Sequence, residues 1–355
     1  MSDNEFVCKY RRTNRKKILF ALSCGALAVA VFFISIGIGQ YDISFSESFR
    51  LLIAHLTGNA DHSMGDNIVW NYRLPRLIMA FFAGMGLAVC GAVMQSILRN
   101  PLAEPYTLGI SSGASFGATI AIISGVSIVP AIYGQSAVIV NAFLFSLIPL
   151  TVILLISRFK KVTPTSMILI GIAVMYVFSS TTTLMMVMAD PKDLADIYAW
   201  NVGTLGKATW GSLLAVVPVT SLATIVLISS SKMINTLSAG DSFSKMVGLR
   251  PERFRLVVFL IVALCTCAIV CFTGTIGFVG LVAPHIVRIF IGSNNQHLLP
   301  ATAMFGGVLL MVLDVISKMV SWNGLPVGVI SALVGGPLFI LVLVRNRRKV
   351  WFFRN

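Results

Sequence analysis

The residues in this 355-residue chain best suited to grip a partner are cations placed where apolar runs begin and end. Arg73 and Arg76 flank a proline in RLPR, directly ahead of some 20 apolar residues, and Lys318 closes a later apolar run. An arginine fork can hold a carboxylate through two parallel hydrogen bonds, which fixes orientation as well as attraction, whereas a lysine is a point charge. The same cations could instead snorkel to lipid phosphates. A second set lies in residues 231–255, SKMINTLSAGDSFSKMVGLRPERFR. Met233, Leu237, Phe243, Met246 and Val247 are spaced there as the apolar faces of two short helices separated near Ala239-Gly240, with Gly248 and Pro251 as stop signals. A third is the uncharged stretch 165–188, with Met175, Ser179, Ser180, Thr181, Thr182, Thr183, Met185 and Met186. It is a candidate pathway lining, although serine and threonine in a membrane helix can simply bond back to the carbonyl one turn earlier.

Other chemistries find no support. Gly206-Lys207 is followed by Ala208 and lacks the upstream glycine of a nucleotide-binding loop, so the chain is not expected to hydrolyse ATP itself. The six cysteines include no CxxC pair, and the four histidines do not sit at metal-ligand spacing within one helix; no metal site is expected. No paired carboxylates or nucleophile constellation marks an enzyme. His285, beside Pro284 and Arg288, reads as a hydrogen-bonded structural residue.

These side chains must be held by a membrane bundle. The chain is 57% hydrophobic and 11% charged, with mean hydropathy +0.89, against roughly 25% charged residues in a soluble domain. The net charge of +14 is spread between apolar runs rather than gathered in one soluble patch, so topology explains it better than nucleic acid does. Ten spans are expected, near 18–39, 74–97, 107–126, 135–157, 165–188, 209–230, 256–272, 276–291, 300–318 and 326–344, in one domain covering 1–355. A basic tail (1–17) precedes them, a second (345–355) follows, and a short surface helix is expected near 46–56. With both termini cytoplasmic, 21 of the 27 Lys/Arg fall inside, as the positive-inside rule requires. Gly84, Ala88 and Ala92 recur every fourth residue, a stripe on which another helix can approach closely, and Gly274, Gly277 and Gly280 suggest the same for the eighth span.

Three strings carry a resemblance: RLPRLIMAFFAGMGLAVCGAVMQSILRNPLAEPYTLGISSG (73–113), TGTIGFVGLVAPHIVRIFIG (273–292) and GLPVGVISALVGGPLFILVLV (324–344). With them the chain resembles the FecCD family of ABC-importer permeases, from Arg73 onward. The resemblance implies an all-α, ten-span, type II ABC importer permease fold in the cell membrane. It implies inward transport of an iron(III)-siderophore, haem or cobalamin by alternating access. The implied partners are a second permease copy, cytoplasmic ATPase subunits that bind the ATP and Mg, and an extracytoplasmic substrate-binding protein; this chain itself is implied to hold no cofactor. Arg73, Arg76 and Lys318 match the positions that receive acidic residues of the binding protein, with lysine standing where arginine is usual. Asn235, Leu237, Gly240, Asp241 and Gly248 match the helix pair that seats in an ATPase groove, while Ser238 and Ala239 depart from its wording. Thr165 and Ser166 match the cytoplasmic gate, and Met175, Ser179, Thr182 and Met186 the pathway. Gly328, Gly335 and Gly336 in the tenth span would let two copies approach or move. A different class, an ion-coupled secondary transporter, would need ionisable groups inside the membrane, and Asp314 is the only acid well inside a span.

Overall fold

Apolar runs of this length satisfy their backbone in lipid only as helices, and the chain is built of little else. The computed structural model describes residues 3–39, 41, 43–160, 163–320 and 325–345; the basic residues beyond 345 lie outside it. Asp3–Gly37 (α1) joins the polar N-terminal stretch and the first apolar run in one helix. Phe45–Leu56 (α2) is the expected surface helix, its first turn capped by Ser44 Oγ accepting from the Glu47 amide. Met64–Asn67 (α3) and a widened π turn, Ile68–Arg73, run directly into Leu74–Leu98 (α4). A 3-10 turn, Pro105–Leu108, precedes Ile110–Ser124 (α5).

The fourth apolar run is not one helix. It divides into Gln135–Ser146 (α6) and Ile148–Phe159 (α7), because Pro149 has no amide proton to continue the ladder and its ring crowds the preceding turn. Pro164–Met188 (α8), Pro191–Asn201 (α9) and Trp210–Ser229 (α10) follow. The polar loop forms two short helices, Ser231–Ser238 (α11) and Asp241–Met246 (α12). Pro251–Thr273 (α13), Val279–Ile291 (α14), Asn295–Met319 (α15) and Val327–Arg345 (α16) complete the order. Among the described residues, six helical segments, counting α3–α4 and α6–α7 as continuous, are long and apolar enough to cross a membrane. Shorter apolar helices in α1, α5, α14 and α16 bring the set to ten.

The bundle is arranged around α4, whose most apolar stretch is 83% buried and whose most extensive packing is with α15. The small-residue stripe explains that pairing. A Cβ on Gly84 would strike the Gly306 backbone, and one on Gly306 would strike Ala88 and Gly84. Gly91 meets the Gly280 backbone of α14 in the same way. The expected glycine stripe of the eighth span does not form. Gly274 ends α13 at φ +67 and packs on the Trp200 carbonyl, Gly277 faces open space, and α14 begins only at Val279, so that of the three only Gly280 lies in α14, against the Leu87 carbonyl. By contrast α8 is only 22% buried over its most apolar stretch, so most of its surface faces away from the subunit.

Candidate functional site

The three cations singled out in the sequence come together at the N-terminal end of α4, with unequal freedom. Arg73 is 5% exposed and is spent on its own subunit. It donates to the carbonyls of Ile36 (2.8 Å) and Tyr41 (2.8 Å) and to Ser48 Oγ (3.0 Å), stapling the end of α1 and the start of α2 to α4. Arg76 donates from Nε to Asp314 Oδ1 (2.8 Å) and from Nη2 to Ser317 Oγ (3.3 Å). Lys318 Nζ lies 2.8 Å from Asp314 Oδ2 and donates to Ser35 Oγ (3.2 Å). Asp314 is fully buried, so two cations share one acid that water cannot reach. Such a carboxylate is tolerable only because it is paired.

These groups open into a cavity of about 540 Å³ lined by Tyr41, Tyr72, Arg73, Arg76, Lys207 and Lys318, among others. Four cations thus face a space in which Asp314 is the counter-charge, and an anion is the natural occupant. Lys207 was the residue missed. In the sequence it is a single lysine in the α9–α10 loop, and only folding brings that loop beside Arg76, with Gly206 next to its guanidinium.

At the opposite end of α4 the helix pair α11–α12 is fastened to the bundle. Ile234 and Leu237 turn inward and are fully buried, while Met233, Phe243, Met246 and Val247 are exposed. Gly240 (φ +133) makes the corner between the helices and Gly248 (φ +83) the exit, both in backbone regions that favour glycine. Asp241 accepts from Arg255 Nη2 (2.9 Å) and from Arg99. Arg99 is the α4 cap in the left-handed region and also donates to the Leu237 carbonyl (3.1 Å). Asn235 bonds to Asn294 and Asn295 at the start of α15.

The four pathway candidates Met175, Ser179, Thr182 and Met186, spaced i, i+4, i+7 and i+11, share one face of α8 but are unequally buried. Ser179 and Thr165 are exposed, Met175, Met186 and Ser166 are half-buried, and Thr182 is buried within the subunit. Ser166 takes part in the N-cap with Thr163, and the neighbouring Thr181 and Thr183 bond back to the carbonyls of Val177 and Ser179. His285 bonds at Nδ1 to the Leu281 carbonyl (2.7 Å), and Arg288 donates to Gln95, both within the bundle. Among the described residues no cluster of histidine, cysteine and acids could hold a metal.

The chain as a whole is similar to known proteins. The model of the FecCD transport family matches residues 27–345. The molybdate import system permease of Haemophilus influenzae is 33% identical over 335 residues, covering 94% of this chain and 96% of its own. The hemin transport system permease of Yersinia pestis is 32% identical, covering 92% of this chain and 97% of its own. A solved structure, an inward-facing conformation of a transporter assigned to the metal-chelate ABC type, superposes with a TM-score of 0.80 at 29% identity, covering 92% of this chain and 98% of that one. A central glycine-paired helix, a cation-lined cavity at one end and a fastened helix pair at the other therefore belong to a permease of the ABC-importer type, and the chain is a member of the FecCD transport family.

Proposed function

We propose that the chain is one of two permease copies in an importer that carries an iron(III)-siderophore inward by alternating access. Separate cytoplasmic ATPases drive it and an extracytoplasmic binding protein supplies the cargo. The observation that supports this most is that the two polar assemblies lie at opposite ends of α4. The cavity at its N-terminal end, with Arg76 and Lys207 as the accessible charge and Arg73 and Lys318 behind them, suits acidic side chains of the binding protein. At the other end Met233, Phe243, Met246 and Val247 offer an apolar surface for an ATPase groove. Asn235, Leu237, Gly240, Asp241 and Gly248 set its shape from within. Both termini are cytoplasmic on this reading. The little-buried face of α8, with Ser179, Met175 and Met186, lines the route between the copies, and Thr165 and Ser166 lie at its cytoplasmic gate.

Iron(III)-siderophore is preferred because metal chelates recur among the relatives, and haem and cobalamin are the alternatives with the same machinery. The test is reconstitution in vesicles with the ATPase and binding protein, offering labelled ferric siderophore, hemin and cobalamin in parallel. ATP-dependent uptake of the ferric chelate is expected. Uptake on a proton or sodium gradient with no ATPase present would overturn the reading in favour of a secondary transporter. That second class has little to work with here, since Asp314 is held by both Arg76 and Lys318 and is poorly placed to load and release an ion.

A further inference from the structure

Two polar clasps hold the α11–α12 pair, one reaching α15 and α4, the other α4 and α13. The first is neutral. Asn235 Oδ1 accepts from the Asn295 amide (2.9 Å) and Asn295 Nδ2 (2.8 Å), and Asn295 Oδ1 in turn accepts from Ser96 Oγ of α4 (3.1 Å). The second is charged, with Arg99 of α4 and Arg255 of α13 converging on Asp241. Ser96, Asn295 and Arg255 are buried, so the Ser96–Asn295 bond is shielded from water, whereas Asp241 remains partly exposed.

Capping accounts for part of this, since Asn235 accepts from the first amide of α15, but not for the side-chain bonds that run through Asn295 to Ser96 or for the charged clasp. Asn294, not Asn235, is the cap of α15, accepting from the Gln296 amide (3.0 Å), and Asn235 lies mid-helix in α11, where its own backbone needs no side-chain help. An acid in the first turn of α12 would suit the helix dipole with no partner at all. Here it collects two arginines from two other helices instead.

What the clasps grip is a rod. α4 and α15 each have 25 residues, about 37 Å at 1.5 Å per residue, and they touch backbone to backbone at Gly84 and Gly306. Their far ends carry Arg76, Asp314 and Lys318. We infer that Ser96, Asn295 and Arg255 are positioning residues for energy coupling. They make the α11–α12 pair move as one body with the α4–α15 rod, so that a push on the pair reaches the cation-lined cavity, and occupation of the cavity is felt by the pair. The inference rests on the importer reading proposed above. It adds that the buried polar atoms beneath the helix pair, and not only its exposed surface, set how tightly hydrolysis and transport are linked.

The test uses the full importer in vesicles, with the Ser96→Ala/Asn295→Ala double variant and Ser96→Thr as the conservative control. The readout is the ratio of ATP hydrolysis with loaded binding protein to hydrolysis without it. A ratio is unmoved by a simple loss of folded protein. It should fall at least about fivefold in the double variant, the low end of typical coupling between sites, with Ser96→Thr restoring much of it. Hydrogen exchange of residues 231–246 in the permease should quicken in the same variant. An unchanged ratio in a double variant that still melts cooperatively would overturn the inference while leaving the importer reading intact. Absence of any stimulation in the unaltered protein would instead count against that reading, and unchanged exchange at 231–246 would overturn the clasp itself.

Discussion

At the scale of single residues, burial separates the cations that hold the fold from those that can meet a partner. Arg73 fills three acceptors, two of them carbonyls at the α1–α2 junction, and Arg73→Ala would leave those groups unpaired. It should cost about 2–4 kcal/mol, at roughly 1–3 kcal/mol per buried group left unsatisfied, read as a lowered melting midpoint in detergent. Lys207→Glu, on an exposed loop, should shift stability by no more than about 0.5 kcal/mol yet weaken capture of the binding protein, measured by surface binding. Equal loss of stability in both variants would contradict this division. Glu104, part-buried in the loop after α4, has its carboxyl pushed up to about 7 by desolvation, from 4.5 in an exposed chain. The folded protein therefore retains a proton that the unfolded chain has released, and stability falls as pH rises across that window. Glu104→Gln should flatten the fall in melting midpoint between pH 5 and pH 8, and an unaltered slope would show the group is not responsible.

At the scale of elements, apolar length and punctuation made most helices legible, and the misses share a cause. The span near 135–157 stands, but the break ahead of Pro149 that divides it into two helices was not read from its apolar composition. The 274–280 glycines looked like a helical stripe because spacing alone does not reveal that Gly274 takes φ +67 and ends a helix. The Gly84, Ala88, Ala92 stripe was readable, whereas its partner Gly306 was not, since contacts across more than 200 residues leave no local signal. Arg99, Arg255, Ser96 and Asn295 were passed over for the same reason, each an ordinary residue until the chain folds. The α4–α15 contact gives a sharp expectation. Gly84→Val puts a branched side chain against the Gly306 carbonyl and should destabilise by about 3 kcal/mol or more, toward the upper range for overpacked cores. Gly25→Ala, with nothing within 4 Å, should be silent in the same thermal assay.

At the scale of the whole molecule, charge is distributed by role. Asp314 neutralises its neighbours deep in the bundle and is not free to relay protons, so uptake in vesicles should persist when a protonophore collapses the gradient and should cease without ATP. Sensitivity to the protonophore at constant ATP would reverse that assignment. The family was legible because its long strings lie in the core and at the corners, where packing fixes residue type. The cargo was not, because relatives of similar identity are named for different cargoes, from molybdate to hemin. The cavity beside Arg76 has one further consequence. Four cations against the single acid Asp314, set in a recess with low-dielectric walls, leave a net positive field beyond the surface, so an acidic carrier should be drawn in faster than random collision allows. Its encounter rate should then drop steeply as salt shortens the Debye length from about 10 Å at 0.1 M toward 3 Å at 1 M, while the lifetime of the docked complex changes far less.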